Sequence, residues 1–259
     1  MKKTVLVVLV MFAAVTLASA GSVSKSVSAG PSGEVSIELI SGNVEIIGWD
    51  RDEVEVTGTV GPDVEEVEVE TDGGDVSIEV KIVNDDEKRS KDIDADLTIR
   101  VPRESTLEVE TVSANISVDE TSGTIELESV SGRIEVAGSV READVATVSG
   151  RISVASDDSL EQGDFETVSG NIEVRASFDS GGDFSFESVS GNITLHLPSG
   201  TAADFDVETF SGKIDNDFGA EAKRESEYAP GKTLQFSTGS GGAQIEIESF
   251  SGRIEIRED

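Results

Sequence analysis

The chain of 259 residues contains no cysteine, which removes disulfides, thiolate metal sites and cysteine nucleophiles at once. Whatever holds the fold must be packing and hydrogen bonding. A single histidine, His196, leaves zinc and most transition-metal sites without a ligand set, and any Ser-His pair would have to use that residue. It lies in Thr194-Leu195-His196-Leu197, where alternation turns both leucines inward and leaves the imidazole as an exposed strand histidine. One tryptophan, Trp49, and one tyrosine, Tyr228, are few for the aromatic platforms of a carbohydrate site. Cations are scarce as well: 20 Lys and Arg against 53 Asp and Glu give a net charge of −33, a surface that repels nucleic acid and anionic membranes. So much charge can mean disorder, but strictly alternating large aliphatics argue for a folded chain.

Long apolar runs are missing beyond the N-terminus. Lys2 and Lys3 precede the run from Thr4 to Ala18, and Ala18-Ser19-Ala20 makes a small-residue cleavage site before Gly21. Residues 1–20 therefore read as a secretory signal peptide, too short and wrongly flanked for a membrane span. The mature chain is expected to be exported, whether periplasmic, cell-surface-associated or extracellular, with no transmembrane segment and no cysteine-linked lipid anchor. Residues 21–259 are expected to form a single domain.

What the chain does have is a repeat. Serine–glycine pairs end at Gly42, Gly123, Gly132, Gly150, Gly170, Gly191, Gly212 and Gly252, with Ser113-Ala114 an imperfect copy. Two positions later comes a β-branched aliphatic, such as Val44, Ile116, Ile134, Ile152, Ile172, Ile193, Ile214 or Ile254. From Ala114 the turn residues advance by 18, 18, 20, 21, 21 and 40, the last reading as two steps of 20, while Gly123 marks the opposite corner of a rung. A fixed period of this kind predicts stacked units that bury their apolar faces only against neighbours. The fold expected is all-β, a single-stranded parallel β-helix (β-solenoid) with rungs of about 18–21 residues, two strands and two turns each. Inward residues alternate, as in Phe165/Thr167 and Ile172/Val174. The step of three from Phe165 to Val168 breaks the phase at the corner. Glycine's tolerance of positive φ accounts for the bend, and the serine hydroxyl is placed to satisfy the turn backbone. No stretch keeps helical periodicity, and an antiparallel sandwich gives no reason for successive units to be nearly identical.

Regular repeats are expected over 107–215, an irregular segment over 21–106, a distorted rung over 216–240 and a last rung over 241–259. Asn84 to Asp92 reads as a charged loop, and Lys223, Arg224, Glu225 and Glu227 crowd together in the distorted part.

The segments Leu107-Glu-Val-Glu-Thr-Val-Ser-Ala-Asn-Ile-Ser-Val118 and Asp164-Phe-Glu-Thr-Val-Ser-Gly-Asn-Ile-Glu-Val174, with the early Gly48-Trp49-Asp50, resemble the bacterial putative-adhesin families of β-strand repeats, filed as domains of unknown function. The resemblance spans nearly all of residues 30–257. It implies a right-handed β-helix like an auto-transporter adhesin head, and it brings no catalytic residues.

Chemistry is sparse. The repeated serines argue for structure, since catalysis needs one distinguished residue. Gly239 to Gly242 lacks a following Lys-Ser/Thr and reads as a loop, not a phosphate cradle. Retaining glycosidases hold two carboxyls about 5–5.5 Å apart, and rungs repeat at about 4.8 Å, so an acidic solenoid makes such pairs by geometry alone. The outward positions after each corner mix charges, whereas those before it are acidic. Asp164, Glu166, Glu187, Asp206 and Glu208 form an expected acidic strip, with the three glutamates in one row on successive rungs. That strip is the candidate cation site, and calcium the candidate ion. The reading is an exported, non-enzymatic, adhesin-like binding or structural module for an unknown envelope, protein or glycan partner. The alternative is a polysaccharide-active lyase or hydrolase on the same scaffold.

Overall fold

The computed structural model describes residues 21–83, 92–224 and 230–259. The proposed signal peptide, all of the expected 84–92 loop except Asp92, and Tyr228 lie outside the described residues. Those described form no helix. Their 21 strands belong to one long, mostly parallel sheet that folds into a β-solenoid. Ile116, Ile134, Ile152, Ile172 and Ile193 stack in direct register, with offsets of 18, 18, 20 and 21 residues. Each rung has a front strand leading into the Ser-Gly corner and a back strand leaving it. Thr124–Ser129 and Ile134–Gly138 are one such pair, Gln162–Thr167 and Ile172–Phe178 another.

Alternation along these strands sends one residue in two into a core that runs the length of the molecule. Phe165 and Phe186, on adjacent front strands, stack with ring centroids 4.9 Å apart. The phase break at the corner falls one residue away from where the sequence suggested. Thr167 and Gly170 are buried, and Val168 and Ser169 between them both face solvent.

The corner itself corrects a second expectation. Of the Ser-Gly corners only Gly42, at φ 120°, uses positive φ. The others need glycine because rungs approach too closely for a side chain. A Cβ at Gly170 would lie 1.5 Å from the Gly150 carbonyl oxygen, and one at Gly191 would lie 1.4 Å from that of Gly170. Two hydroxyls secure the turns at Gly132, Gly150, Gly170, Gly191, Gly212 and Gly252. The buried residue three positions before the glycine accepts its N–H, as Thr167 does from Gly170 (2.9 Å) and Ser188 from Gly191 (2.7 Å). The corner serine donates to the neighbouring rung, Ser169 to the Val148 carbonyl at 3.3 Å and Ser190 to that of Val168 at 3.2 Å.

Rung order departs from chain order at both ends. The closing pair Ala243–Ser249 and Arg253–Glu258 inserts between the rung of residues 183–197 and that of residues 203–216. The 40-residue step from Ile214 to Ile254 is thus one spatial step, not two of 20, and the charged C-terminal strand is interior, not terminal. Outside it, Lys232–Thr238 runs antiparallel along Ala203–Thr209, with Phe205 stacked on Phe236 at 4.4 Å. The other end mirrors this. Glu34–Trp49 lies inside, covered by Asp75–Ile82 and Asp94–Pro102, which antiparallel strands cover in turn. The outermost of these on the back face is Ser22–Ser28, paired with Glu53–Val60.

Candidate binding groove

Two outward rows follow from the front-strand pattern carboxylate–hydroxyl–aliphatic–Ser-Gly. The first is acidic. In stacking order it reads Glu68, Glu79, Glu38, Glu110, Glu128, Ala146, Glu166, Glu187, Glu248, Glu208, nine glutamates broken once by alanine. Glu166 and Glu187 are neighbours as expected, but the inserted rung places Glu248 between Glu187 and Glu208. Asp164 and Asp206, in a parallel row, are separated by Ser185 and Glu246.

The second row is apolar. Val112, Val130, Val148, Val168 and Val189 are followed by Phe250 and Phe210, whose rings stack at 4.9 Å. All seven are 47–56% exposed, and among the described residues the only other exposed large hydrophobic is Val83. The two rows stand two residues apart on each strand, about 6.6–6.8 Å. They line a groove of about 1270 Å³ that runs along the corners at the ends of the front strands, with Glu65 and Lys81 at one end and Gly231 and Lys232 at the other. Sequence reasoning missed this row because it took Val168 for a corner position within the core phase. The recurring Thr/Ser-Val/Phe-Ser-Gly pattern was the available signal, since two neighbours cannot both point inward.

Electrostatics follow the stacking. Burial, then the charges of Glu166 and Glu248, hold the Glu187 carboxyl above its ordinary range. Burial, with Glu34 and Glu126 next, does the same for Glu108. Asp164 is raised by burial and by Asp144, against an opposing hydrogen bond from the Phe165 amide. One of its oxygens is closed off from solvent without a hydrogen-bond partner. Among the described residues no three or more His, Cys, Asp or Glu side chains gather as a metal site would need.

The remaining candidates are engaged elsewhere. His196 is outward but only 19% exposed at its side chain. Its Nδ1 lies 3.2 Å from both Asp259 Oδ1 and an Arg175 nitrogen, so it is not the freely exposed strand histidine expected. Trp49 donates its indole N–H to the Glu53 carbonyl (2.8 Å) and is covered by the Arg51 guanidinium, so its ring is not an open platform. Gly239 to Gly242 forms the turn into Ala243–Ser249.

Fold and groove together define a β-solenoid scaffold whose outward surface is organised into two long rows. The chain belongs to the Toastrack DUF4097 family, whose model matches residues 32–257. Among solved structures, it is similar to a putative adhesin from Bacteroides fragilis at 14% identity, covering 92% of this chain and 98% of that one with a TM-score of 0.47. A putative cell adhesion protein from Clostridium sporogenes matches at 12% identity over 92% of this chain and 100% of that one, TM-score 0.42. A putative adhesin from Parabacteroides distasonis matches at 16% identity over 92% and 97%, TM-score 0.37. No curated protein matches the chain. No helix among the described residues is long and apolar enough to cross a membrane.

Proposed function

We propose that this protein is an exported, non-enzymatic, adhesin-like module that binds a partner of the bacterial envelope or cell surface through the groove. The observation that carries the reading is the apolar row. A soluble surface has no folding reason to expose five valines and two phenylalanines in one line, and contiguous exposed apolar surface marks interaction sites. The carboxylates beside it recur on rung after rung, which suits an extended contact better than a single reaction centre.

The test is expression of the full chain with residues 1–20 intact, followed by fractionation. Export predicts a mature mass beginning at Gly21 and recovery outside the cytoplasm. Binding through the groove predicts that Val148→Thr, Val168→Thr and Val189→Thr together release the protein from the envelope fraction without lowering its melting temperature. Cytoplasmic retention of an uncleaved chain would overturn export, and unchanged envelope retention of the triple variant would overturn the groove.

A further inference from the structure

We infer that the occupant of the groove is a cationic amphipathic α-helix lying along the solenoid axis, an inference that rests on the binding-module reading above. Four observations lead there. The first is charge: six glutamates, Glu110, Glu128, Glu166, Glu187, Glu248 and Glu208, stand beside the seven apolar residues, and the cations at the groove ends are already committed. Lys81 pairs with Glu68 and Glu79, and Lys232 donates to the Gly212 carbonyl at 2.8 Å. Among the described residues no salt bridge neutralises Glu110, Glu128, Glu166, Glu187 or Glu248. A second copy of this chain, or an anionic bilayer, would set like charge against the row. A cationic partner relieves the repulsion instead.

The second observation is that the backbone beneath the groove is spent. The Val130 N–H donates to the Thr111 carbonyl (3.2 Å), Ser131 to Val112 (3.0 Å) and Val148 to Ser129 (3.2 Å). An incoming peptide therefore cannot add as a strand there, and recognition has to run through side chains.

The third is spacing. Rungs repeat at about 4.8 Å. Same-face residues of an extended peptide recur at about 6.6–6.8 Å and fall out of step within two rungs. Residues on one face of a helix recur every turn, about 5.4 Å, and stay in step for longer. The fourth is shape. The apolar and acidic rows are about 6.6–6.8 Å apart, less than the roughly 10–12 Å helix diameter. One helix can thus lay an apolar stripe on the valines while Lys or Arg side chains from its flank reach the glutamates. From the Val112 to the Phe210 position is about 29 Å at that rung spacing, which a helix of about 19 residues spans.

The probe is a labelled Lys/Leu helix of about 20 residues with leucines on one face, titrated by fluorescence anisotropy against residues 21–259. Its controls are a scrambled peptide of the same composition and a Glu/Leu helix of the same pattern. We expect the Lys/Leu helix to bind with induced helicity in circular dichroism, and the scrambled peptide to bind at least about tenfold more weakly. The Glu/Leu helix should not bind. Val148→Thr/Val168→Thr/Val189→Thr should weaken binding about tenfold at any salt concentration. Glu166→Gln/Glu187→Gln should weaken it chiefly at low salt, and Thr194→Ala on the back face should change nothing. Equal binding of the scrambled peptide, or indifference to the valine substitutions, overturns the inference. So does valine-dependent self-association, which would assign the groove to a second copy, or valine-dependent binding to zwitterionic vesicles, which would assign it to a bilayer. If the valine variant loses envelope retention while the Lys/Leu helix fails to bind, the groove keeps its role and only this occupant is wrong. Failure of both removes the groove altogether.

Discussion

At a corner, one residue decides whether two rungs can touch. Gly170 is glycine because of its neighbour's carbonyl and not because of its own torsion angles. Alanine should therefore be nearly as damaging there as valine, which a positive-φ explanation does not anticipate. We expect Gly170→Ala to cost roughly 3 kcal/mol or more. Gly181→Ala, at φ 93° with nothing within 4 Å of a new Cβ, should cost only about 1 kcal/mol. Urea midpoints of the two variants check this, and equal midpoints would remove the close-contact account. In the core, Ile172 is 1% exposed between Ile152 and Ile193, and Ile172→Ala should cost about 2–5 kcal/mol. Outward Thr194→Ala should stay within about 0.5 kcal/mol. A reversed ranking of their denaturation midpoints would mean that the strand phase is wrong.

At the scale of elements, the ends are the vulnerable part of any parallel stack, because an open strand edge templates pairing with another chain. Here antiparallel strands close the stack at three of its four edges. Ser22–Ser28 covers Glu53–Val60, whose Val54 and Val56 are fully buried. Ala29 and Gly30 add hydrogen bonds to Asp52 (3.1 Å) and Gly74 (2.7 Å). Deleting residues 21–33 uncovers that edge and should produce concentration-dependent association by light scattering. A truncated chain that stays monomeric at high concentration would show that Glu53–Val60 protects itself. At the opposite end on the back face the outermost strand is Lys213–Asn216, only four residues long. Lys213 and Asp215 place charge on it, a standard defence of an exposed edge.

For the whole molecule the dominant unfavourable term is self-repulsion. Two unit charges about 4.8 Å apart repel by about 0.9 kcal/mol in bulk water, and more near a protein surface. Over nine stacked glutamates this approaches a sizeable part of a domain's stability of roughly 5–15 kcal/mol. The melting temperature should rise with sodium chloride. Glu187→Gln should raise it at low salt and blunt the salt effect. Calcium at matched ionic strength tests the proposed bridging of Glu166 and Glu187. A higher melting temperature than in sodium chloride supports bridging, and equality removes it. Protonation acts in the same direction as salt. Glu187, Glu108 and Asp164 are raised in the folded state, so the native chain binds more protons than the unfolded one just above the ordinary carboxylate range. Their contribution is fully present below the unfolded values and lost as pH rises through the folded ones. Lowering the pH from about 7 to about 5 should therefore stabilise the protein. Asp204, Asp215 and Asp259, held low by Ser237, Lys213 and Arg175 respectively, should withdraw stability only at pH values below the ordinary range. A melting temperature that falls steadily from pH 7 to pH 5 would contradict the stacked-carboxylate account.

By itself the sequence determined the β-solenoid class, the rung length, the place of the Ser-Gly corners and which face is acidic. All of these are local or periodic: alternation fixes which way Phe165 and Ile172 point, and the repeat fixes what lies one rung away. Three things were decided only by tertiary structure. The reason for the corner glycines depends on a carbonyl about 20 residues distant, and nothing local to Ser169-Gly170 records how closely Gly150 approaches. The order of the last rungs depends on the Lys232–Thr238 strand turning back along Ala203–Thr209. That reversal sends the chain's final 17 residues inside the stack and puts Glu248 between Glu187 and Glu208. The apolar row needed both. Each valine or phenylalanine is unremarkable in its own rung, and it becomes a continuous groove only when seven rungs are stacked in that order.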